Sequence, residues 1–226
     1  MHTAMILAAG RGERLRPLTD RVPKPLLQVG RYRLIEYHLM SLASIGVHRV
    51  VINIAHLAEL IQHTLGNGSR YGVEILYSQE PPGALETAGG IRNALPLLGQ
   101  DPFLVINGDI RCDIRLDSLA LEDPNFMHLV LVSNPPHRPN GDFGLDRSPI
   151  PHRLLPPSGA VNNLTYAGVG VFSPEPFRHL SEGRNPLAPL IRQCIDQKRA
   201  TGEQYNGYWM DVGDADRLEA ARSENG

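Results

Sequence analysis

Residues 10–25 read GRGERLRPLTDRVPKP, a stretch able to handle phosphate. Gly10 and Gly12 let backbone N–H groups close around an anion as a nest. Arg14 and Arg16 add positive charge two residues apart. Pro17, Pro23 and Pro25 predict an extended course. Lys24 stands between two of these prolines, so its backbone has little freedom and its ammonium can be aimed. Of 22 Lys and Arg residues in the chain, only Lys24 and Lys198 are lysines. Lysine is a compact point charge where arginine is a broad fork. A compact charge suits a transferring phosphoryl group. The pattern GxxxxGK[ST] is absent, so this lysine does not sit where a P-loop puts it. An ordinary strand–helix turn with a solvated lysine is the plainer alternative. The joint run of Gly, Arg, Pro and Lys argues against it.

Two carboxylates complement this loop. VINGDI (105–110) takes an apolar run into Asn107-Gly108-Asp109. Asp109 then lies at the carboxyl end of a buried strand, and Gly108 leaves room for a ligand. One carboxylate there can hold Mg²⁺, which keeps several waters and shares phosphate oxygens. In WMDVGD (209–214), Asp211 likewise closes an apolar run before a glycine. Two such aspartates with a basic glycine-rich loop fit metal-assisted phosphoryl chemistry. Asp214 reads as the N-cap of a last helix.

A third stretch, SQEPPGALETAGGI (78–91), follows a strand and opens a helix. Gln79 and Glu80 offer amide and carboxylate edges, and the Pro82-Gly83-Ala84 turn exposes backbone groups. Such a loop can read a base edge. Glu86 and Thr87 fall in the first helical turn, where a carboxylate serves either a ligand or the helix dipole. Tyr166 suits a sugar pocket or strand packing equally, and Trp209 reads as packing. The nine histidines show no HxH, HExxH or HxxxH pairing.

The elements that must position these residues alternate along the chain. Apolar runs at 4–9, 49–54, 73–78, 103–107 and 128–133 predict strands covered on both faces. Helical patterns at 34–46, 56–68 and 84–99 lie between them. The expected fold is α/β: a Rossmann-like three-layer α/β/α arrangement with a mostly parallel central sheet. Such sheets bind ligands at the carboxyl ends of their strands, here 8–25, 53–56, 79–90 and 107–113. Residues 134–160 are rich in Pro, Gly and Arg and predict a hairpin-like excursion near the site. A strand at 164–173 and a helix at 186–198 follow. The 226 residues, 42% of them hydrophobic, predict one domain over 1–226.

Composition narrows the partners. A net charge of −2 argues against a nucleic-acid binder that works by bulk positive charge. No apolar run approaches the roughly 18 residues of a membrane helix. The start MHTAMILAAG has no basic n-region, which predicts a cytoplasmic protein without a signal peptide. Cys112 and Cys194 read as reduced thiols. Nothing in the sequence marks an oligomeric state.

Together these residues resemble the sugar-1-phosphate nucleotidyltransferases, whose signature is G-x-G-x-R-hydrophobic-x-P-L-T-x(3)-P-K-P. Residues 10–25 match it throughout, and NGD (107–109) and WMDVG (209–213) extend the likeness over almost the whole chain. The resemblance implies Mg²⁺-dependent attack of a sugar-1-phosphate on the α-phosphorus of a nucleoside triphosphate, with release of pyrophosphate. It implies that Ala8, Ala9, Gly10 and Gly12 give backbone contacts to base and phosphates. It assigns Arg14 and Lys24 to the triphosphate and the transition state, and Gln79, Ala84 and Asn107 to the nucleotide. Asp109 and Asp211 would bind Mg²⁺.

Within that family the chain looks most like the short N-acetylmuramate-1-phosphate uridylyltransferases of peptidoglycan recycling. LETAGGI (85–91), GDFGLD (141–146) and MDVGD (210–214) carry this likeness, and no left-handed β-helix domain is expected. Many longer relatives place a Glu-Lys pair in the sugar site; AVNNLTYAG (160–168) has no lysine. Glu86, Asp142, Asn163 and Tyr166 are the acceptor-site candidates. Three alternatives share the chemistry: mannose- or heptose-1-phosphate guanylyltransferase, or glucose-1-phosphate thymidylyltransferase. An inactive nucleotide-sensing domain is another class, and intact Lys24, Asp109 and Asp211 speak against it. A dehydrogenase fingerprint needs a third glycine where Leu15 stands.

Overall fold

Apolar runs of five or six residues become strands because helices cover both of their faces. The computed structural model describes residues 1–81, 83, 85–157 and 163–223. The chain runs through Thr3–Leu7 (β1), Gln28–Val29 (β2), Tyr32–Arg33 (β3), Leu34–Ser44 (α1), Arg49–Ile54 (β4), Ala58–Leu65 (α2), Glu74–Gln79 (β5) and Glu86–Leu98 (α3). It continues through Phe103–Asn107 (β6), Ile110–Cys112 (β7), Met127–Val132 (β8), Gly144–Asp146 (β9), Arg153–Leu155 (β10) and Thr165–Phe172 (β11). Glu175–Arg178 (α4), Leu187–Asp196 (α5), Ala200–Tyr205 (β12), Trp209–Asp211 (β13) and Ala215–Ser223 (α6) follow. No helix among the described residues is long and apolar enough to cross a membrane.

The main sheet has the order β5-β4-β1-β6-β11-β8-β12-β10-β9. From the pairings, only β11 and β10 run against the other seven strands. The order reverses at β1, between β4 and β6. That is the switch point where crevices open at strand carboxyl ends. Side-chain alternation divides the core. Ala4, Ile6, Val50, Ile52, Leu104 and Ile106 face α1 and α2. Met5, Val51, Phe103 and Val105 face α3 and α5.

Within 134–157, β9 and β10 pair antiparallel as a hairpin, and β10 joins β12, so this segment extends the sheet's edge. The glycine-rich segment departs from the expected extended course. Glu13–Leu15, Leu18–Asp20 and Lys24–Leu26 are 3-10 turns. Proline's fixed φ lies within the 3-10 range, so prolines punctuate these turns instead of straightening the chain. A small third core explains where the segment goes. Leu15, Leu27, Val29 and Leu34 pack with Val212, Leu218 and Ala221, binding the loop to the C-terminal helix.

A buried polar chain ties the carboxyl ends of β1, β4 and β5 together. Ala8 N–H donates to Asn53 Oδ1 at 2.7 Å, and Asn53 Nδ2 donates to Glu80 Oε1 at 2.7 Å. Glu80 Oε2 accepts from the Leu85 N–H at 3.3 Å. Gly90 gives this carboxylate its space, since a Cβ there would lie 2.6 Å from Glu80 Oε1. Asn53→Ala should therefore leave the Ala8 N–H and a Glu80 oxygen without protein partners. We expect a loss of about 3 kcal/mol in urea unfolding. An unchanged unfolding midpoint would remove the network from the stability of the fold.

Candidate active site

Two clefts open along the carboxyl ends of the strands. The first, 320 Å³, is lined by Ala8, Ala9, Gly10, Gly12, Lys24, Glu80, Glu86, Thr87, Asn107, Gly108 and Asp109, among others. The second, 590 Å³, is lined by residues that include Arg14, Arg138, Asp142, Tyr166, Ile191, Arg192, Trp209 and Asp211. Thr87, Asn107 and Asp109 line both, so the clefts meet there. Both volumes lie in the range of small-molecule sites.

Local chemistry shapes the first cleft. Ala8 spends its N–H on Asn53, whereas the N–H groups of Ala9, Gly10, Arg11 and Gly12 meet no acceptor among the described residues. Consecutive unspent backbone donors make an anion nest. Gly12 sets the bend at φ 71°, and a Cβ there would lie 2.9 Å from Thr19 Cγ2. Thr19 Oγ1 closes the loop by donating to Gly12 O at 2.9 Å. His56 Nε2 lies 2.8 Å from Thr19 O and holds it to the next strand's loop. The two sequence arginines part company. Arg16 pairs with Asp20 at 3.0 Å on the exposed side, while Arg14 turns to the second cleft.

The charged centre lies at the seam. Lys24 Nζ donates to Asp109 Oδ2 at 2.5 Å, with only 11% of the lysine side chain exposed. β13 pairs with β7 so that Asp211 opposes Ile110, and Val212 N–H donates to Asp109 O at 2.8 Å. This pairing makes Asp109 and Asp211 neighbours across about a hundred residues of sequence. Asp211 has its own partners. Arg217 Nη1 donates to Asp211 Oδ2 at 2.5 Å, and His137 Nε2 lies 3.0 Å from Oδ1. Arg217 also grips Asp214 Oδ2 through Nε at 2.9 Å and Nη2 at 2.7 Å. Asp214 caps α6 by accepting the Arg217 N–H at 3.0 Å. The guanidinium and backbone N–H of Arg217, with Arg14 nearby, hold the Asp214 carboxyl down to about 2.

The remaining sequence candidates distribute unevenly. Asp142 lines the second cleft, accepts the Tyr166 N–H at 2.9 Å and pairs with Arg138 at 3.2 Å. The Tyr166 hydroxyl is buried without a hydrogen-bond partner among the described residues, and burial pushes its pKa up. Glu86 lines the first cleft at φ 61° and pairs with Arg184 at 2.7 Å. Asn107 lines both clefts. Gln79 lines neither cleft; its side-chain amide donates to Glu80 O at 3.3 Å. Asn163 lines a separate hollow with Arg147 and Gln204, and its amide donates to Asn140 O at 3.1 Å. Ala84 lies outside the described residues.

Sequence reasoning did not find Arg217, His137, Asn53 or Arg192. For Arg217 a partial signal existed, because an acid three residues before an arginine at a helix start predicts a pair. Its reach to Asp211 had none. Asn53 ends a predicted strand and gave no sign of its tie to Ala8.

The nucleotidyl transferase family model matches residues 3–225. An N-acetylmuramate alpha-1-phosphate uridylyltransferase of Neisseria meningitidis serogroup B is 48% identical, over 97% of this chain and 96% of its own. One from Caulobacter vibrioides is 33% identical, over 97% of this chain and 95% of its own. The structure of the inositol-1-phosphate CTP transferase from T. maritima superposes with a TM-score of 0.80 at 20% identity, covering 100% of this chain and 96% of that one. That last likeness bears on the fold alone. The match over nearly every residue, with Lys24, Asp109 and Asp211 gathered at one seam, places this chain in the nucleotidyl transferase family.

Proposed function

We propose that this chain couples UTP to N-acetylmuramate-1-phosphate, giving the UDP-sugar and pyrophosphate in peptidoglycan recycling. The observation that carries the reading is the meeting of two clefts at Asp109, with Lys24 on its carboxylate. The 48% identity to a relative of that name supports the choice of substrates. The first cleft takes the nucleoside triphosphate against the free N–H groups of Ala9 to Gly12. The second takes the sugar.

In the proposed reaction a phosphate oxygen of the sugar-1-phosphate bonds to the α-phosphorus. The bond from that phosphorus to the bridging oxygen of pyrophosphate breaks. The attacking oxygen is already anionic, so no general base is required. Catalysis is alignment plus charge neutralisation. Lys24 rests on Asp109 at the seam, where the transferring phosphoryl group would lie. Arg14 approaches the same seam from the acceptor side.

Asp109 and Asp211 would hold Mg²⁺. No cluster of three or more His, Cys, Asp and Glu side chains suited to a metal exists among the described residues. Two carboxylates without a third fit an ion that completes its shell with phosphate oxygens and water. When bound, Mg²⁺ supplies neutralising charge to the triphosphate.

The direct test is pyrophosphate release across four nucleoside triphosphates and several sugar-1-phosphates. Release should be fastest from UTP with the muramate sugar, and none from that pair rejects the assignment. Lys24→Ala should lower kcat by about a hundredfold or more while UTP binding, measured by calorimetry, stays within a few fold. Unchanged turnover would take Lys24 out of the reaction. Asp109→Asn and Asp211→Asn should each weaken Mn²⁺ binding to the UTP-loaded protein by about tenfold, read by electron paramagnetic resonance. Equal binding to the parent would move the metal elsewhere.

A further inference from the structure

We infer that Arg192 binds the carboxylate of the acceptor's lactyl ether, and so selects an acidic sugar-1-phosphate over its neutral parent. The inference rests on the acceptor reading above. N-acetylmuramate is N-acetylglucosamine bearing a lactyl ether, a methyl beside a carboxylate. That group asks for a cation next to an apolar wall.

The charges of the second cleft leave this cation unspent. Three aspartates line it, and each already has a cation: Asp109 has Lys24, Asp142 has Arg138, and Asp211 has Arg217. Two lining arginines, Arg14 and Arg192, make no hydrogen bond or ion pair among the described residues. Arg14 lies at the Asp211 end, where a Cβ on Gly213 would come 2.9 Å from its Nη2. That is the end where the acceptor's phosphate must sit. Arg192 lies on α5, away from that loop in the chain. A neutral sugar phosphate would use only the first of these cations. An acidic one carries an anion for each.

The helix aims the group. Long helical side chains point back toward the N-terminus, over residues three and four positions earlier. For Arg192 the residue four back is Ala188, which itself lines the cleft and is too small to block the guanidinium. Leu187 and Ile191, on the same wall, supply the apolar surface for the methyl. Pro186 gives the start of α5 no side-chain cap, so its dipole also favours the anion.

The test compares wild type, Arg192→Leu and Arg192→Lys at saturating UTP. The acceptors are N-acetylmuramate-1-phosphate and N-acetylglucosamine-1-phosphate. The leucine variant should raise KM for the muramate sugar about tenfold to a hundredfold, the loss expected for charge-assisted hydrogen bonds. Its kcat should stay within about twofold, and kcat/KM for the glucosamine sugar should not move. The lysine variant should recover part of the loss. Arg192 is exposed, so thermal melting of each variant should match wild type. Equal losses on both sugars, or none on the muramate sugar, overturn the inference alone. No turnover of the muramate sugar by wild type overturns it together with the substrate reading.

Discussion

Two carboxylates brought to one cleft are the constraint around which this structure is arranged. The β7–β13 pairing joins the chain at Asp109 and Asp211, and both line the second cleft. Like charges in a partly dry cleft repel unless a cation stands by. Here every partner of these carboxylates comes from a different part of the chain. Lys24 arrives on the glycine-rich segment, Arg217 on α6 and His137 on the segment before β9. The third hydrophobic core makes this possible. It fastens the glycine-rich segment and α6 to each other, which keeps Lys24 and Arg217 within reach of their carboxylates.

The two clefts differ in how they are built, and the difference fits the ligands proposed for them. The first offers the free backbone N–H groups of Ala9 to Gly12. Its donors are fixed by the Ala8–Asn53–Glu80 chain and by the Gly12–Thr19 closure. Backbone donors locked by buried hydrogen bonds lose little entropy on binding, which suits a triphosphate common to a whole family. The second is lined by side chains on β11, α5 and the 138–143 segment. Side chains can be exchanged without disturbing the sheet. A family that keeps one reaction and varies its sugar needs that division.

Much of this was legible in the sequence. The strands at 49–54 and 103–107 have the predicted bounds, because unbroken β-branched and aliphatic runs have no other stable place than a two-faced core. Lys24 and Asp109 stand out because proline or glycine flanks each, and Asp211 because a glycine lies two residues on; all three line the clefts. What sequence could not show is pairing at long range. Asn53 looks like the end of a strand, and only the fold reveals that its amide bridges β1 to β5. Glu80 looked like a base reader, but it is buried and holds the loop. The proline-rich segment looked extended because proline's φ is shared by extended chain and 3-10 turn, and ψ is not written in the sequence.

The question of why an arginine-rich chain keeps a lysine at position 24 now has a physical answer. The two carboxylates face two different cations, and the chemistry of each cation matches its task. Arg217 uses Nε, Nη1 and Nη2 at once, spanning Asp211 and Asp214. A planar fork with that many fixed partners is a clamp. Lys24 has one partner, Asp109, and an ammonium offers three rotatable donors. Two remain for phosphate oxygens without the first being given up. Its stem is also confined, since a Cβ on Gly12 would approach Lys24 Cβ to 3.3 Å. An arginine there would bring a wider, planar head. Its fork would also tend to engage the carboxylate with two donors, leaving it holding Asp109 as Arg217 holds Asp214. The proposed reaction needs one cation that stays and one that can follow the charge as it moves from the triphosphate to pyrophosphate, and the single partner of Lys24 fits it for the second.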